Sequence, residues 1–270
     1  MCRVATSPRC HCLQYADTPH LPKVSIMTAQ RDLEGLSALV TGATSGIGRS
    51  VAEEFGRQGA EVIVHGRDAT RGAEVVDAIT SEGGKARFVA ADLTVPADLA
   101  DLAEKVGVVD VLVNNAGIAW FGPTADLDVA TYDRLFDANV RSTYFVVASL
   151  APMMVARGKG SIINVGSMAG QIGLAGGAAY SATKAALASF TRSWAAEFSP
   201  SGVRVNTIAP GPVYTAVQPA EQTEALGATT IMARAAQPEE IAEVIVFLAS
   251  SKSSYVTGAV FAADGGRTAI

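Results

Sequence analysis

From Leu36 onward the chain alternates short β-branched apolar runs with longer stretches in which apolar residues recur at helical spacing. The runs at 38–41, 62–65, 87–90, 109–114, 161–165, 203–208 and 259–262 are the candidate strands. Strands separated by helix-length gaps predict a parallel sheet with right-handed crossovers. Each run is apolar throughout rather than alternating, as happens when helices cover both faces of a sheet. The pattern is therefore α/β, a doubly wound parallel seven-stranded sheet with helices on both faces. It continues without internal repeat or Pro/Ser-rich linker to the last strand, so residues 35–270 are expected to form a single domain with little chain left for a separate substrate domain.

Before residue 35 the periodicity is absent. Pro8, Pro19 and Pro22 interrupt the segment, and residues 1–34 are expected to be a disordered extension, with Met27 as the natural start. Arg3 and Arg9 precede the first acid at Asp17 in the manner of a transit peptide, but no apolar core of a secretory signal accompanies them. All three cysteines (Cys2, Cys10, Cys12) lie here, so a disulfide framework is not expected. Together with His11 and His20 they match no zinc spacing, and no metal site is expected.

Composition narrows the class. In 270 residues, 49% hydrophobic, there is ample material for a large core. A net charge of −5 gives no electrostatic reason for binding nucleic acid or anionic lipid. Runs such as 108–113 and 244–249 stop far short of the roughly 20 apolar residues that span a bilayer, so no membrane partner is expected and the location expected is cytoplasmic.

Directly after the first predicted strand comes Thr41-Gly42-Ala43-Thr44-Ser45-Gly46-Ile47-Gly48, then a helical pattern through Val51, Ala52 and Phe55. Glycines permit a tight turn and close approach of backbone N–H groups, and a helix N-terminus adds partial positive charge, so a diphosphate is the natural occupant. The spacing Gly-x-x-x-Gly-x-Gly, with Asn114-Asn115-Ala116-Gly117 after the fourth strand, resembles the short-chain dehydrogenase/reductase family over roughly residues 35–266. The resemblance implies a Rossmann-type fold. It also implies that Thr41, Gly42, Ser45, Gly46, Ile47 and Gly48 wrap the cofactor diphosphate, that Asp92 and Leu93 lie at the adenine, and that Asn114, Asn115, Ala116 and Gly117 brace the central sheet beside the cofactor. Read on its own, Asp92 is equally a helix cap. The span from Asp92 to Asp110 is short for the family, which leaves the helix boundaries there open.

The adenosine ribose of such a fold is read at the end of the second strand, where an acid accepts from a free 2′-hydroxyl and an Arg accommodates a 2′-phosphate. Arg67 stands there in His65-Gly66-Arg67-Asp68, with no acid at 65–67. NADP(H) is the preferred cofactor, with NAD(H) possible because Asp68 is near enough to turn toward the ribose.

Tyr180 and Lys184 are four residues apart in a helix-forming stretch and share one face. Ser167 ends the fifth strand, where ligands of an open parallel sheet bind, and Asn139 sits in the preceding helix. Ketone reduction needs a hydride donor and a proton donor at the oxygen, and alcohol oxidation needs the same groups in reverse. A phenol must lose about 3 pKa units to act as a base near neutrality, and an adjacent ammonium is the expected cause. In the family resembled, the matching positions assign Tyr180 as general acid/base, Ser167 as anchor of the substrate oxygen and Lys184 as pKa-lowering group and ribose ligand. Asn139 would organise a water-linked proton relay, and Pro210, Gly211, Val213 and Thr215 would hold the nicotinamide carboxamide.

The expected activity is interconversion of a secondary alcohol and a ketone. Trp120, Phe121, Leu174 and Tyr214 point to a fairly apolar small molecule. Two rivals stand beside it. Reduction of 3-oxoacyl groups on acyl carrier protein needs a basic docking surface, for which Arg157, Lys159 and Arg192 are thin. A non-catalytic dinucleotide sensor would be expected to lack Tyr180 or Lys184. The resemblance further implies a homotetramer or homodimer through helices around 140–155 and 181–198.

Overall fold

The computed structural model describes residues 31–270, which form one compact unit. The expectations placed on the three cysteines, His11, His20 and Met27 lie outside the described residues. Residues 31–34, expected to be extension, belong to the fold: the Leu33 side chain is fully buried, and its N–H donates to the Gln58 carbonyl at 3.0 Å. One apolar residue in a turn is too short a signal for periodicity to register.

The chain runs β1 (Ser37–Val40), α1 (Gly46–Arg57), β2 (Glu61–Gly66), α2 (Ala69–Ser81), β3 (Lys85–Ala90), α3 (Pro96–Val106), β4 (Val111–Asn114), α4 (Val129–Phe136), α5 (Ser142–Arg157), β5 (Gly160–Val165), α6 (Ala178–Phe198), β6 (Val203–Pro210), α7 (Ala220–Gly227), α8 (Pro238–Ala249) and β7 (Val260–Ala263). All seven strands pair in parallel in the order β3-β2-β1-β4-β5-β6-β7. β4 begins two residues later than the apolar run suggests. Asp110 is a polar junction there, accepting the Ser37 N–H at 3.1 Å and pairing with Arg157 and Lys159.

Two apolar layers sandwich the sheet. Val40, Val64, Val113 and Ile163 face Val51 and Phe55 of α1, Val75 of α2 and Ile241 and Ile245 of α8. Leu39, Ile63, Leu112 and Ile162 face Leu102 of α3, Val147 and Leu150 of α5 and Trp194 of α6. Alternate residues of one strand thus enter opposite cores, which is why the strands read as unbroken apolar runs. Strand order reverses between β1 and β4, and the crevice outside the carboxyl ends at such a switch point is where doubly wound sheets bind ligands.

Candidate active site

The glycine turn joins β1 to α1 at that switch point. Gly42 has φ +63, and a Cβ there would lie 2.9 Å from the Ala116 Cα, so both backbone conformation and space require glycine. A Cβ on Gly48 would come within 2.3 Å of the Gly42 carbonyl and the Asn115 amide. Asn115 braces the turn from behind, its Nδ2 donating to the carbonyls of Thr41 and Gly42 at 3.0 Å each. The buried Thr41 hydroxyl donates to Val113 O at 3.2 Å and accepts the N–H groups of Asn115 and Ala116 at 3.0 Å. Thr41 and Asn115 therefore spend their side chains inside the protein as supports of the turn. Ile47 packs on the core beneath α1, while Ser45 makes no side-chain capping bond and no acid stands in the first turn. Backbone donors with no anionic side chain among them fit a diphosphate.

His65, whose role the sequence did not signal, completes this support. It is buried at the end of β2, its Nδ1 accepts the Gly42 N–H at 3.3 Å, and its Nε2 lies 3.2 Å from the Ala91 carbonyl. Burial pushes its pKa down to about 4, so the ring is neutral at physiological pH.

At the ribose end the side chains sort themselves. Asp68 is the N-cap of α2: one oxygen accepts the Arg71 N–H at 3.1 Å and the other the Arg71 Nε at 2.9 Å. Arg67 is exposed and lies 3.8 Å from Asp92. Asp92 does not cap α3, whose N-cap is Val95. Its Oδ1 instead accepts the Thr94 N–H at 3.0 Å and the Thr94 hydroxyl at 2.7 Å, which holds its carboxyl below the usual range. Leu93 is partly buried against the α3–α5 layer.

Tyr180 and Lys184 lie on α6, with the Lys184 Nζ 5.7 Å from the centre of the phenol ring. Lys184 is buried, and its ammonium makes one hydrogen bond, to Val165 O at 2.9 Å. Burial brings its pKa down to about 8, so it is mostly charged at pH 7. Its further donors fit sugar hydroxyls. The expected lowering of the Tyr180 pKa is not what this arrangement produces. Burial raises it and hydrogen bonding from Ser167 pulls the other way. Desolvation of the charged form is the larger of the two effects.

Asn139 stands in a π-helical turn, Asp137–Arg141, between α4 and α5 rather than inside a regular helix. Its side-chain oxygen accepts the Ile118 N–H at 2.8 Å, and its Nδ2 donates to Ile118 O at 2.9 Å and to the Thr183 hydroxyl at 3.1 Å. The amide clamps the loop after β4 to α6, and the Asn139 carbonyl accepts the Thr143 hydroxyl at 3.1 Å. A Cβ on Gly117 would lie 2.9 Å from that amide oxygen, which packs Gly117 and Ala116 closely beside the turn.

After β6, Pro210 ends the strand, the Gly211 N–H donates to Ala263 O at 3.0 Å, and buried Val213 bridges Ala236. Thr215 reaches the glycine turn: its methyl would be 3.3 Å from a Cβ on Gly46. A cleft of about 420 Å³ opens here, lined by Gly46, Arg49, Tyr214, Thr215 and Glu239, beside the turn rather than over Tyr180.

Comparison with known proteins places this geometry. The family described as Enoyl-(Acyl carrier protein) reductase matches residues 42–268. Cis-4-hydroxycyclohexanecarboxylate dehydrogenase of Sinomonas cyclohexanicum is 40% identical over 242 residues, 86% of this chain and 96% of that protein. A solved structure described as a short chain dehydrogenase/reductase family protein is 51% identical with a TM-score of 0.83, covering 88% of this chain and all of the other. A candidate NAD(P) dependent gluconate 5-dehydrogenase from Beutenbergia cavernae, solved with bound NADP at low occupancy, is 38% identical with a TM-score of 0.85, covering 89% of this chain and 100% of that one.

Proposed function

The chain belongs to the short-chain dehydrogenase/reductase family, and from that premise we propose that it interconverts a secondary alcohol and a ketone with NADP(H), Tyr180 acting as general acid/base. The observation that carries this reading is the meeting of Tyr180, Ser167 and Lys184 at the carboxyl ends of β5 and α6's first turns, beside the glycine turn. NADPH, held by the glycine turn and Lys184, would supply the hydride, so that ketone, NADPH and a proton would give alcohol and NADP⁺. Tyr180 donates its phenolic proton to the carbonyl oxygen and is reprotonated from solvent, while the Ser167 hydroxyl orients that oxygen. Lys184 holds the ribose hydroxyls and offers its charge to the phenolate formed transiently. A raised Tyr180 pKa keeps the phenol protonated at neutral pH, which favours reduction there. Alcohol oxidation needs the phenolate and gains as pH rises.

The NADP(H) preference rests on Arg67, since Asp68 is occupied by α2 and Arg71. NAD(H) is the competitor, and Asp92 beside Arg67 is the feature that favours it. A free small carbonyl compound is preferred over an acyl carrier substrate because Arg157 and Lys159, the thin basic patch, both pair with Asp110. The reading includes a cytoplasmic location and a dimer or tetramer.

Steady-state kinetics on a ketone panel with NADPH and NADH test it. Tyr180→Phe should cut kcat by about 1000-fold with NADPH binding retained. Arg67→Asp should move the NADPH/NADH ratio toward NADH by about tenfold or more. A ratio that stays put defeats the cofactor assignment. Cofactor binding without turnover, unaffected by Tyr180→Phe, would favour the sensor.

A further inference from the structure

Three segments follow the carboxyl ends of β4, β5 and β6, residues 117–128, 167–177 and 211–222, and the first of them packs on Tyr180 through Phe121. They carry Asp126, Asp128 and Glu221 and no Lys, Arg or His. The cation nearest the phenol is Lys184, already bonded to Val165 O at 2.9 Å and buried beneath the ring. Elsewhere, Arg49 of α1 pairs with Glu53 at 2.7 Å and Arg234 with Glu240 at 2.7 Å. Among the described residues, these segments offer an entering anion no cationic side chain.

What the loops do offer is apolar. Phe121 is 50% exposed, and its ring stands 5.2 Å from that of Tyr180 at 61°. Phe121 thus packs edge to face with the phenol and keeps half of its surface exposed beside it. Ile118, 42% exposed, is held by both of its backbone groups to Asn139. The Gly122 N–H donates to Gly176 O at 2.9 Å, tying the loop after β4 to the loop after β5. Such a wall is pre-organised: a ligand need not order it on binding.

We infer that the site selects an uncharged, largely apolar secondary alcohol or its ketone and rejects anionic ones, with Phe121 the residue that determines this specificity. The inference rests on the acid/base reading of Tyr180 for where the reacting oxygen lies. Its physical basis is separate: a carboxylate brought here loses water without gaining an ion partner, whereas an apolar ring gains contact with Phe121 and Ile118.

Cyclohexanone and 4-oxocyclohexanecarboxylate differ by that one charged group and form the test. With NADPH, kcat/KM should favour cyclohexanone by about 100-fold, since the anion is left unpaired. Phe121→Ala should lower kcat/KM for cyclohexanone by about tenfold, through KM with kcat largely kept, as expected when contact shared by ground and transition states is removed. Phe121→Arg should narrow the preference. Ligand-observed saturation-transfer NMR on NADP⁺-loaded protein gives a second readout, with contact for cyclohexanone and none for the carboxylate. If neither ketone is turned over but binding keeps this selectivity, the catalytic reading fails and the selectivity stands. If the carboxylate is used or bound as well as the neutral ring, the inference is overturned, and the first-turn N–H groups of α6 become the anion's holders.

Discussion

His65 ties one titratable side chain to the architecture of the glycine turn. Because the Gly42 N–H must donate, Nδ1 carries no proton, and Nε2–H is left for the Ala91 carbonyl. Only the neutral ring satisfies both. Burial is the largest cause of its pKa near 4, partly opposed by the Ala91 carbonyl and Asp92, with Arg67 adding to the depression. The unfolded chain, with an ordinary value of 6.5, therefore binds more protons than the folded one between pH 4 and 6.5. Stability rises with pH across that window and is lost as pH falls through it. Between pH 7 and pH 5 the loss from this residue should be about 2 kcal/mol. His65→Gln should flatten the slope of urea-denaturation stability in that range by about this amount, and should also remove a weakening of NADPH binding at acid pH that protonation of the Gly42 acceptor would cause. An unchanged slope in the variant would show that His65 is not the titrating group.

At the scale of elements, α6 carries the chemistry, and a buried polar rung sets its position on the sheet. Asn114 on β4, Asn164 on β5 and Thr207 on β6 are neighbours in register. Asn114 Nδ2 donates to Asn164 Oδ1 at 2.9 Å, and Asn164 Nδ2 to the Thr191 hydroxyl at 2.8 Å. The Thr191 hydroxyl donates to Leu187 O at 2.9 Å, and its oxygen lies 2.6 Å from that of Thr207. Thr191 is two helical turns beyond Lys184 on the same face, so the rung fixes both the rotation and the height of the helix that presents Tyr180. Asn164→Leu leaves buried partners on both sides unpaired and should cost about 3 kcal/mol in thermal or chemical unfolding. If the rung positions α6, kcat should fall more than KM rises; a loss of stability with kinetics intact would reduce it to a packing feature. The seven strands, the glycine turn and the Tyr180–Lys184 pair were legible in the sequence because their causes are local, namely apolar runs, glycine spacing and helical periodicity. Of the rung, bracing by Asn114 was expected from the family resemblance, but Asn164, Thr191 and Thr207 were not, since they sit inside apolar or helical runs and gain meaning only when β5, β6 and α6 are stacked. Asp68 was ambiguous for the same reason: its claim by Arg71 depends on where α2 begins. The π-turn at Asn139 leaves no periodic trace, and the raised Tyr180 pKa reflects burial that spacing alone does not reveal.

On the scale of the whole molecule, the layer of α3, α5 and α6 ends in an aromatic surface. Tyr144 and Phe145 on α5 are 44% and 46% exposed, and Tyr144 packs on Phe190 and Trp194 of α6 at ring separations of 5.6 and 5.9 Å. Aromatic side chains of this size contribute strongly to protein interfaces, and contiguous apolar patches on a surface are commonly contact sites. Charge does not oppose self-association here, because a net charge of −5 is modest for 270 residues. A dimer or tetramer of the kind proposed would use this face, burying on the order of 800 Å² from each partner, as stable interfaces do. Placing two carboxylates in the middle of a two-fold contact sets like charges against each other, so the double substitution Tyr144→Glu with Phe145→Glu should convert the assembly to monomers in sedimentation velocity while far-ultraviolet circular dichroism stays unchanged. Since α6 lies beneath this face and also carries Tyr180 and Lys184, the monomer should lose kcat more than it loses cofactor affinity. A wild-type chain that sediments as a monomer would remove this face from the account of assembly, and an assembly that survives both glutamates would move the contact to another surface.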